Sequence, residues 1–236
     1  MTDIKDAVVL VTGANGGLGR EFVRQALERG ARRVYASART PREWDDARVV
    51  PLELDVTDPA SVAAAATRAD DVTIVINNAG AATQGSLTSA DLSGARELFE
   101  VNFWGPLEVA NAFAPALKAN GGGAVLNVLS VLSWIALADT YSATKAALWS
   151  ATNTQRLQLA EQGTQVVALH VGYTDTPMTA RLDVEKNDPA DVVAQAYDGI
   201  AEGSYEVLAD DVSRQVKAAL SSPVAAMYPA LAASSS

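Results

Sequence analysis

"VTGANGGLGRE", residues 11–21, joins an apolar run to an amphipathic one through a glycine-rich turn. Gly13, Gly17 and Gly19 give the spacing Gly-x-x-x-Gly-x-Gly. Before it, "AVVLVT" (7–12) is a continuous β-branched apolar run and reads as a strand. After it, "GLGREFVRQALERG" (17–30) carries Phe22, Ala26 and Leu27 at helical spacing and stops at Gly30, so it reads as a helix. A strand that turns through glycines into a helix start brings bare backbone amides and the positive end of the helix dipole to one point.

The same alternation continues outward. "RRVYAS" (32–37), "RVVPLEL" (48–54), "DVTIVIN" (71–77), "GAVLNVLS" (123–130), "QVVALHV" (165–171) and "SYEVLA" (204–209) read as six further strands. Between them lie helical stretches. Asp58 with Pro59 starts one, and Asp188 with Pro189 starts another, because Asp caps a helix and Pro suits its first position. Two more are expected at roughly 91–101, capped by Thr88 or Asp91, and at 105–119. A long helix is expected from about 141 to 161, and a last one in "DDVSRQVKAAL". Strands this apolar are buried on both faces. The reading is therefore an α/β fold: one domain over 1–236, a doubly wound, Rossmann-like parallel sheet of about seven strands with helices on both faces. The tail from about 222, rich in Pro and Ser, is expected to be loosely held.

Composition limits the function. With 28 acidic and 18 basic residues the net charge is −10, which argues against a nucleic acid partner. The chain has no cysteine and one histidine, so thiolate and multi-histidine metal sites are excluded and no metal is expected. No apolar run reaches the roughly 18 residues a membrane span needs. The start, "MTDIKDAVVL", is acidic and enters a strand directly, unlike a signal peptide. A cytoplasmic protein with no membrane partner is the expectation.

Glycines followed by a helix N-terminus suit a pyrophosphate, and here they predict a dinucleotide site. The end of the second strand selects the dinucleotide. A carboxylate there would bind the adenosine ribose hydroxyls of NAD. "YASART" (35–40) has none and offers Arg39, whose planar fork pairs with a 2′-phosphate, so NADP(H) is expected over NAD(H).

"INNAG" (76–80) ends the fourth strand and "NVLS" (127–130) the fifth, and "YSATK" begins eleven residues after Ser130. With "TGANGGLG", in this order over nearly the whole chain, the sequence resembles the short-chain dehydrogenase/reductase family. The resemblance implies catalytic roles for Asn102, Ser130, Tyr141 and Lys145, with Asn102 holding a water in a proton relay. It implies cofactor contacts from Gly13, Asn15, Gly17, Leu18 and Gly19 in the glycine loop, and from Arg39. It implies others from Asp55, toward the adenine amino group, and from Val56. Asn77, Ala79 and Gly80 would stabilise the sheet and line the cofactor cleft. Tyr141 and Lys145 would contact the cofactor as well, as would Gly172, Thr174 and Thr176, the last near the carboxamide. Ser130, Tyr141, Trp134 and Met178 are expected at the substrate. The family also implies a homodimer or homotetramer built on the helices at 105–119 and 141–161.

Three departures from the family pattern stand out. Val171 replaces the proline that often precedes Gly172. Gly16 stands where NADP-preferring members often carry a basic residue. The Ser130–Tyr141 segment is a little short, which reshapes one wall of the substrate pocket.

The implied activity is NADPH-dependent reduction of a ketone or aldehyde, reversible as alcohol oxidation. The nicotinamide supplies the hydride and the protein the proton. Tyr141 and Lys145, four apart, share a helix face. A free tyrosine has a pKa of about 10, and a nearby ammonium is expected to lower it. Ser130 is placed to stabilise charge on the carbonyl oxygen. Three other readings compete. A non-enzymatic dinucleotide sensor of the same fold would have no need of Ser130, Tyr141 or Lys145. A sugar-nucleotide epimerase would need a longer C-terminal region than the 60 residues after Thr176. His170, Ser130 and Asp175 could form a hydrolase triad, but "NVLSVLS" lacks the Gly-x-Ser-x-Gly elbow, and His170 is expected to be a packed strand-end residue.

Overall fold

A computed structural model of the chain describes residues 2–82, 86–228 and 230–231. Seven strands form one sheet: β1 (Val8–Thr12), β2 (Arg33–Ala38), β3 (Val49–Glu53), β4 (Ile74–Asn77), β5 (Ala124–Val128), β6 (Gln165–His170) and β7 (Glu206–Leu208). Every pairing is parallel and the order is β3-β2-β1-β4-β5-β6-β7. Chain order runs outward in both directions from β1 and β4. The C-terminal ends of these two strands therefore flank the crevice where open α/β sheets bind ligands. Pro51 cannot donate to a ladder, and it sits in β3, an edge strand with β2 as its one neighbour.

The apolar runs fill two cores, one on each face. Val9 and Val11 of β1 pack with Phe22, Val23 and Ala26 of α1 (Gly17–Glu28) and with Val193, Tyr197 and Ile200 of α6 (Pro189–Glu202). Val8 and Leu10 point the other way, toward Val62 and Ala65 of α2 (Pro59–Arg68) and Val109, Phe113 and Leu117 of α4 (Gly105–Ala119). The two-residue strand period thus loads both faces with apolar side chains. Asp58 and Asp188 cap α2 and α6 as expected, accepting from Ala60 N (3.0 Å) and Ala190 N (2.8 Å).

The structure differs from expectation at several element boundaries. The two helices expected at 91–101 and 105–119 are joined. α3 (Ser93–Phe99) runs through a π-helical turn, Glu100–Trp104, directly into α4. Thr88 and Asp91 do not cap α3. Asp91 accepts the Ser93 amide (2.8 Å) in a turn ahead of it, and Thr88 is paired with Ser86. α5 (Asp139–Leu159) starts two residues before Tyr141, with Asp139 at φ +45°. The last helix is α7 (Asp211–Ala218), and the tail adds one turn, α8 (Val224–Met227). The Tyr228 hydroxyl accepts the Ala136 amide (3.0 Å) and ties that end of the tail to the segment before α5, while 232–236 lie outside the described residues. Among the described residues, no helix is long and apolar enough to cross a membrane.

Candidate active site

The glycine loop and the end of β4 are laced together. Thr12 Oγ1 accepts the amides of Asn78 (3.0 Å) and Ala79 (2.9 Å), and Asn78 Nδ2 donates to Thr12 O (2.8 Å) and Gly13 O (3.3 Å). Gly13 has φ +67°, and a Cβ there would lie 3.0 Å from Ala79 Cα. A Cβ on Gly19 would lie 2.2 Å from Gly13 O, so this turn excludes any side chain at 19. The loop is a cradle of bare backbone at the start of α1, the geometry a diphosphate requires. Leu18 faces inward against the core. Asn15 reaches sideways, donating to Thr40 O (2.8 Å) and accepting the Arg42 amide (3.3 Å). It thereby fastens the segment after β2, with exposed Arg39 and Arg42, to the glycine loop. Arg42 lies over the Trp44 ring at 5.0 Å. Sequence reading missed Arg42; its signal was a second cation three residues beyond Arg39.

After β3, Asp55 accepts from Thr57 N (2.9 Å) and Thr57 Oγ1 (2.8 Å). These bonds, together with the charge of Arg39, lower its pKa. Val56 packs against α4: a Cβ on Gly105 would lie 2.9 Å from it. Asn77 is buried, and its Nδ2 donates to Pro106 O (3.0 Å) and Asn127 Oδ1 (2.9 Å). Its side chain therefore serves the sheet, and the cleft-facing part of this motif begins at Asn78. Gly80 closes the motif: a Cβ there would lie 3.4 Å from Asn102 Oδ1 and 3.9 Å from Lys145 Nζ.

Four residues named from sequence meet at this edge. Ser130 follows β5 and is buried; its Oγ accepts the Leu132 amide (3.1 Å), and its side chain lies near enough to the Tyr141 phenol to influence its ionisation. Lys145 lies one turn along α5, on the face that buries Leu148, Thr152 and Gln155. Its Nζ donates to Val128 O (2.8 Å) and lies 5.7 Å from the centre of the Tyr141 ring. Asn102 sits in the π turn, fully buried. It grips Ala81 twice, through Ala81 N (2.9 Å) and Ala81 O (2.9 Å), and reaches Thr144 Oγ1 (3.2 Å) on α5. Pro106 has no N–H, so the Asn102 carbonyl lacks the donor an α-helix would supply. The π turn thus locks α3–α4, the "INNAG" loop and α5 into one frame.

The electrostatics differ from the sequence expectation. Burial pushes the Tyr141 phenol up to about 12, and the neighbouring Ser130 side chain opposes that only in part. Burial also depresses Lys145 to about 8. The expected lowering of Tyr141 by Lys145 is not seen: the ammonium donates to the Val128 carbonyl, and burial governs the phenol. Tyr141 is a neutral phenol at neutral pH.

Trp134, expected against substrate, stacks on His170 at 3.9 Å and meets Trp149 edge-on, with Lys217 over its ring at 4.9 Å. These contacts pack Trp134 beside the end of β6, where the Ser130 carbonyl lies 3.3 Å from His170 Nδ1. His170 is buried as expected. Desolvation lowers its pKa, and Glu206 Oε1 lies 3.4 Å from its Nε2. Beyond β6, Thr174 is buried, Thr176 packs against Gly17, and Met178 is half exposed on the segment that follows.

The family model for short chain dehydrogenases matches residues 7–187. The chain belongs to the short-chain dehydrogenase/reductase family of oxidoreductases, with the Rossmann-like fold that defines it. A short chain dehydrogenase of Burkholderia cenocepacia J2315, solved in complex with NADP, superposes with a TM-score of 0.90 at 38% identity, covering 97% of this chain and 99% of that one. The NADPH-bound carbonyl reductase from chicken fatty liver gives a TM-score of 0.78 at 28% identity, over 88% and 96% of the two chains. A galactitol 2-dehydrogenase (L-tagatose-forming) of Cereibacter sphaeroides is 32% identical over 189 residues, 75% of this chain and 74% of that protein.

Proposed function

We propose that this chain reduces a ketone or aldehyde with NADPH, and oxidises the alcohol in reverse. The observation that carries the reading is the cluster of buried Ser130, Tyr141 and buried Lys145, with Lys145 Nζ 5.7 Å from the centre of the Tyr141 ring, on the edge that also holds the glycine cradle. NADPH, when bound, supplies the hydride. The glycine loop, Ala79, Gly80, Thr174 and Thr176 are assigned to holding it, with Asp55 at the adenine. Arg39 and Arg42 are assigned to its 2′-phosphate, a choice supported by the absence of an acid at the end of β2 and by the NADP-bound Burkholderia relative.

Ser130 Oγ orients the carbonyl oxygen and stabilises charge that develops there. Tyr141 gives its phenolic proton to that oxygen as the charge forms. A phenol near 12 stays protonated throughout the neutral range, which suits reduction better than oxidation. Lys145 steadies the phenolate that remains, and Asn102 keeps the frame in register. Assembly as a homodimer or homotetramer through α4 and α5 belongs to the same reading, supported by Leu157, 80% exposed on α5. The test is loss of absorbance at 340 nm with NADPH and a panel of ketones and aldehydes. Turnover with NADPH well above that with NADH is expected. No NADPH binding by the purified protein would defeat the proposal.

A further inference from the structure

Asp210 caps α7, yet it is buried and takes hydrogen bonds from three separate segments. Its Oδ2 accepts the Gly172 amide (2.6 Å) and Asn187 Nδ2 (2.8 Å), and its Oδ1 accepts the Ser213 amide (2.7 Å) at the start of α7. Gly172 is where the chain leaves β6 toward Thr174 and Thr176. Asn187 is where the excursion returns, one residue before the cap of α6. The two limbs are zipped directly: Asn187 N donates to Tyr173 O (2.8 Å), Asp175 N donates to Asn187 O (3.0 Å), and Thr174 bridges to Asn187. Residues 174–187 thus form a loop with a closed neck, and Asp210 grips both limbs of that neck from outside. The outgoing limb reaches the glycine loop, since a Cβ on Gly17 would lie 3.4 Å from Thr176 Cβ.

We propose that Asp210 is a positioning residue that fixes the neck of the 174–187 lid, and through it the placement of Thr174 and Thr176 over the cofactor cleft. The chemistry fits: an ionised carboxylate accepts several N–H donors at once and holds them more tightly than a neutral acceptor. Through the Gly172 amide the carboxylate holds the exit from β6. The proposal rests on the cofactor reading given above.

The test uses Asn187→Ala, which removes the lid arm and leaves the Gly172 and Ser213 bonds, and Asp210→Asn, which turns one acceptor into a donor facing an N–H. Trypsin cleavage after Arg181, exposed on the lid, is followed without cofactor, with cleavage in the helices, after Arg68 and Lys118, as the control. Each variant should cleave after Arg181 about tenfold faster, the size expected for losing a hydrogen bond to a charged group, with the helix sites unchanged. The KM for NADPH should rise by a similar factor while kcat at saturating NADPH stays within about twofold. If Asp210→Asn does not fold, Asn187→Ala decides. Wild-type cleavage and wild-type KM in the folded variants would overturn the proposal. Failure of the cofactor reading is separate: the unaltered protein would then fail to bind NADPH, and the cleavage rates would still test the neck.

Discussion

Substituting alanine for Gly19 tests the glycine cradle most sharply, because the structure fixes the size of the effect. The added Cβ would lie 2.2 Å from Gly13 O, 2.6 Å from Asn78 Nδ2 and 2.9 Å from Gly13 C. Ordinary contact begins near 3.4 Å, so the Gly13 carbonyl must retreat by about 1 Å. It has little room, since Gly13 already lies against Ala79 and its carbonyl accepts from Asn78. Overpacking costs about 1–3 kcal/mol and each lost hydrogen bond about 1 kcal/mol, so the expected loss is about 2–4 kcal/mol. For a chain of this length that lowers Tm by about 5–15 °C. A displacement of about 1 Å in the cradle should weaken NADPH binding about 100-fold. Thermal melting and NADPH fluorescence titration read the two effects. Gly16→Ala is the control: Gly16 is extended, with φ −165°, and a Cβ there meets nothing within 4 Å, so its cost should stay below about 1 kcal/mol. A Gly19→Ala protein that melts and binds NADPH like the unaltered one would show that the cradle does not depend on bare backbone at 19.

Two further outcomes follow from the charges. Arg39→Ala and Arg42→Ala should each cut the NADPH-over-NADH ratio of kcat/KM by about tenfold, as expected for losing a charged hydrogen bond; an unchanged ratio in both rejects their assignment to the phosphate. His170 and Lys217 hold Glu206 down to about 2, below its usual value of 4.5. A depressed carboxylate stabilises the fold fully above its unfolded value and loses that contribution as pH falls from about 4.5 to 2. Glu206→Gln should therefore flatten the acid limb of a stability-against-pH profile by at most about 3 kcal/mol. Superimposable profiles would dismiss the Glu206 cluster as an acid-sensitive element.

What the sequence carried well was chemistry that acts locally. Asp58-Pro59 and Asp188-Pro189 mark helix starts because both the cap and the proline act within one turn. The apolar runs of β1 and β5 mark strands because both faces are buried. The glycine spacing was legible because positive φ and close approach leave no alternative residue. Tertiary effects were not legible. The π turn joining α3 to α4 arises where Gly105 closes on Val56 and Pro106 withholds an N–H. The stack of Trp134 on His170 was not legible either, because His170 lies on β6, far along the chain. Asp210 looked like one acid at a helix start; two donors from distant segments, Gly172 and Asn187, give it its place beyond that cap. The rise of the Tyr141 pKa depends on burial, which spacing alone does not reveal.

The central claim is that Tyr141 delivers the proton. The direct measurement is Tyr141→Phe, assayed for NADPH oxidation with a carbonyl substrate the unaltered protein turns over, alongside NADPH affinity by fluorescence. Removing the one hydroxyl should lower kcat by about 1000-fold, as loss of a positioned general acid does, and leave the NADPH dissociation constant within about threefold. Near-normal turnover by Tyr141→Phe would contradict the account.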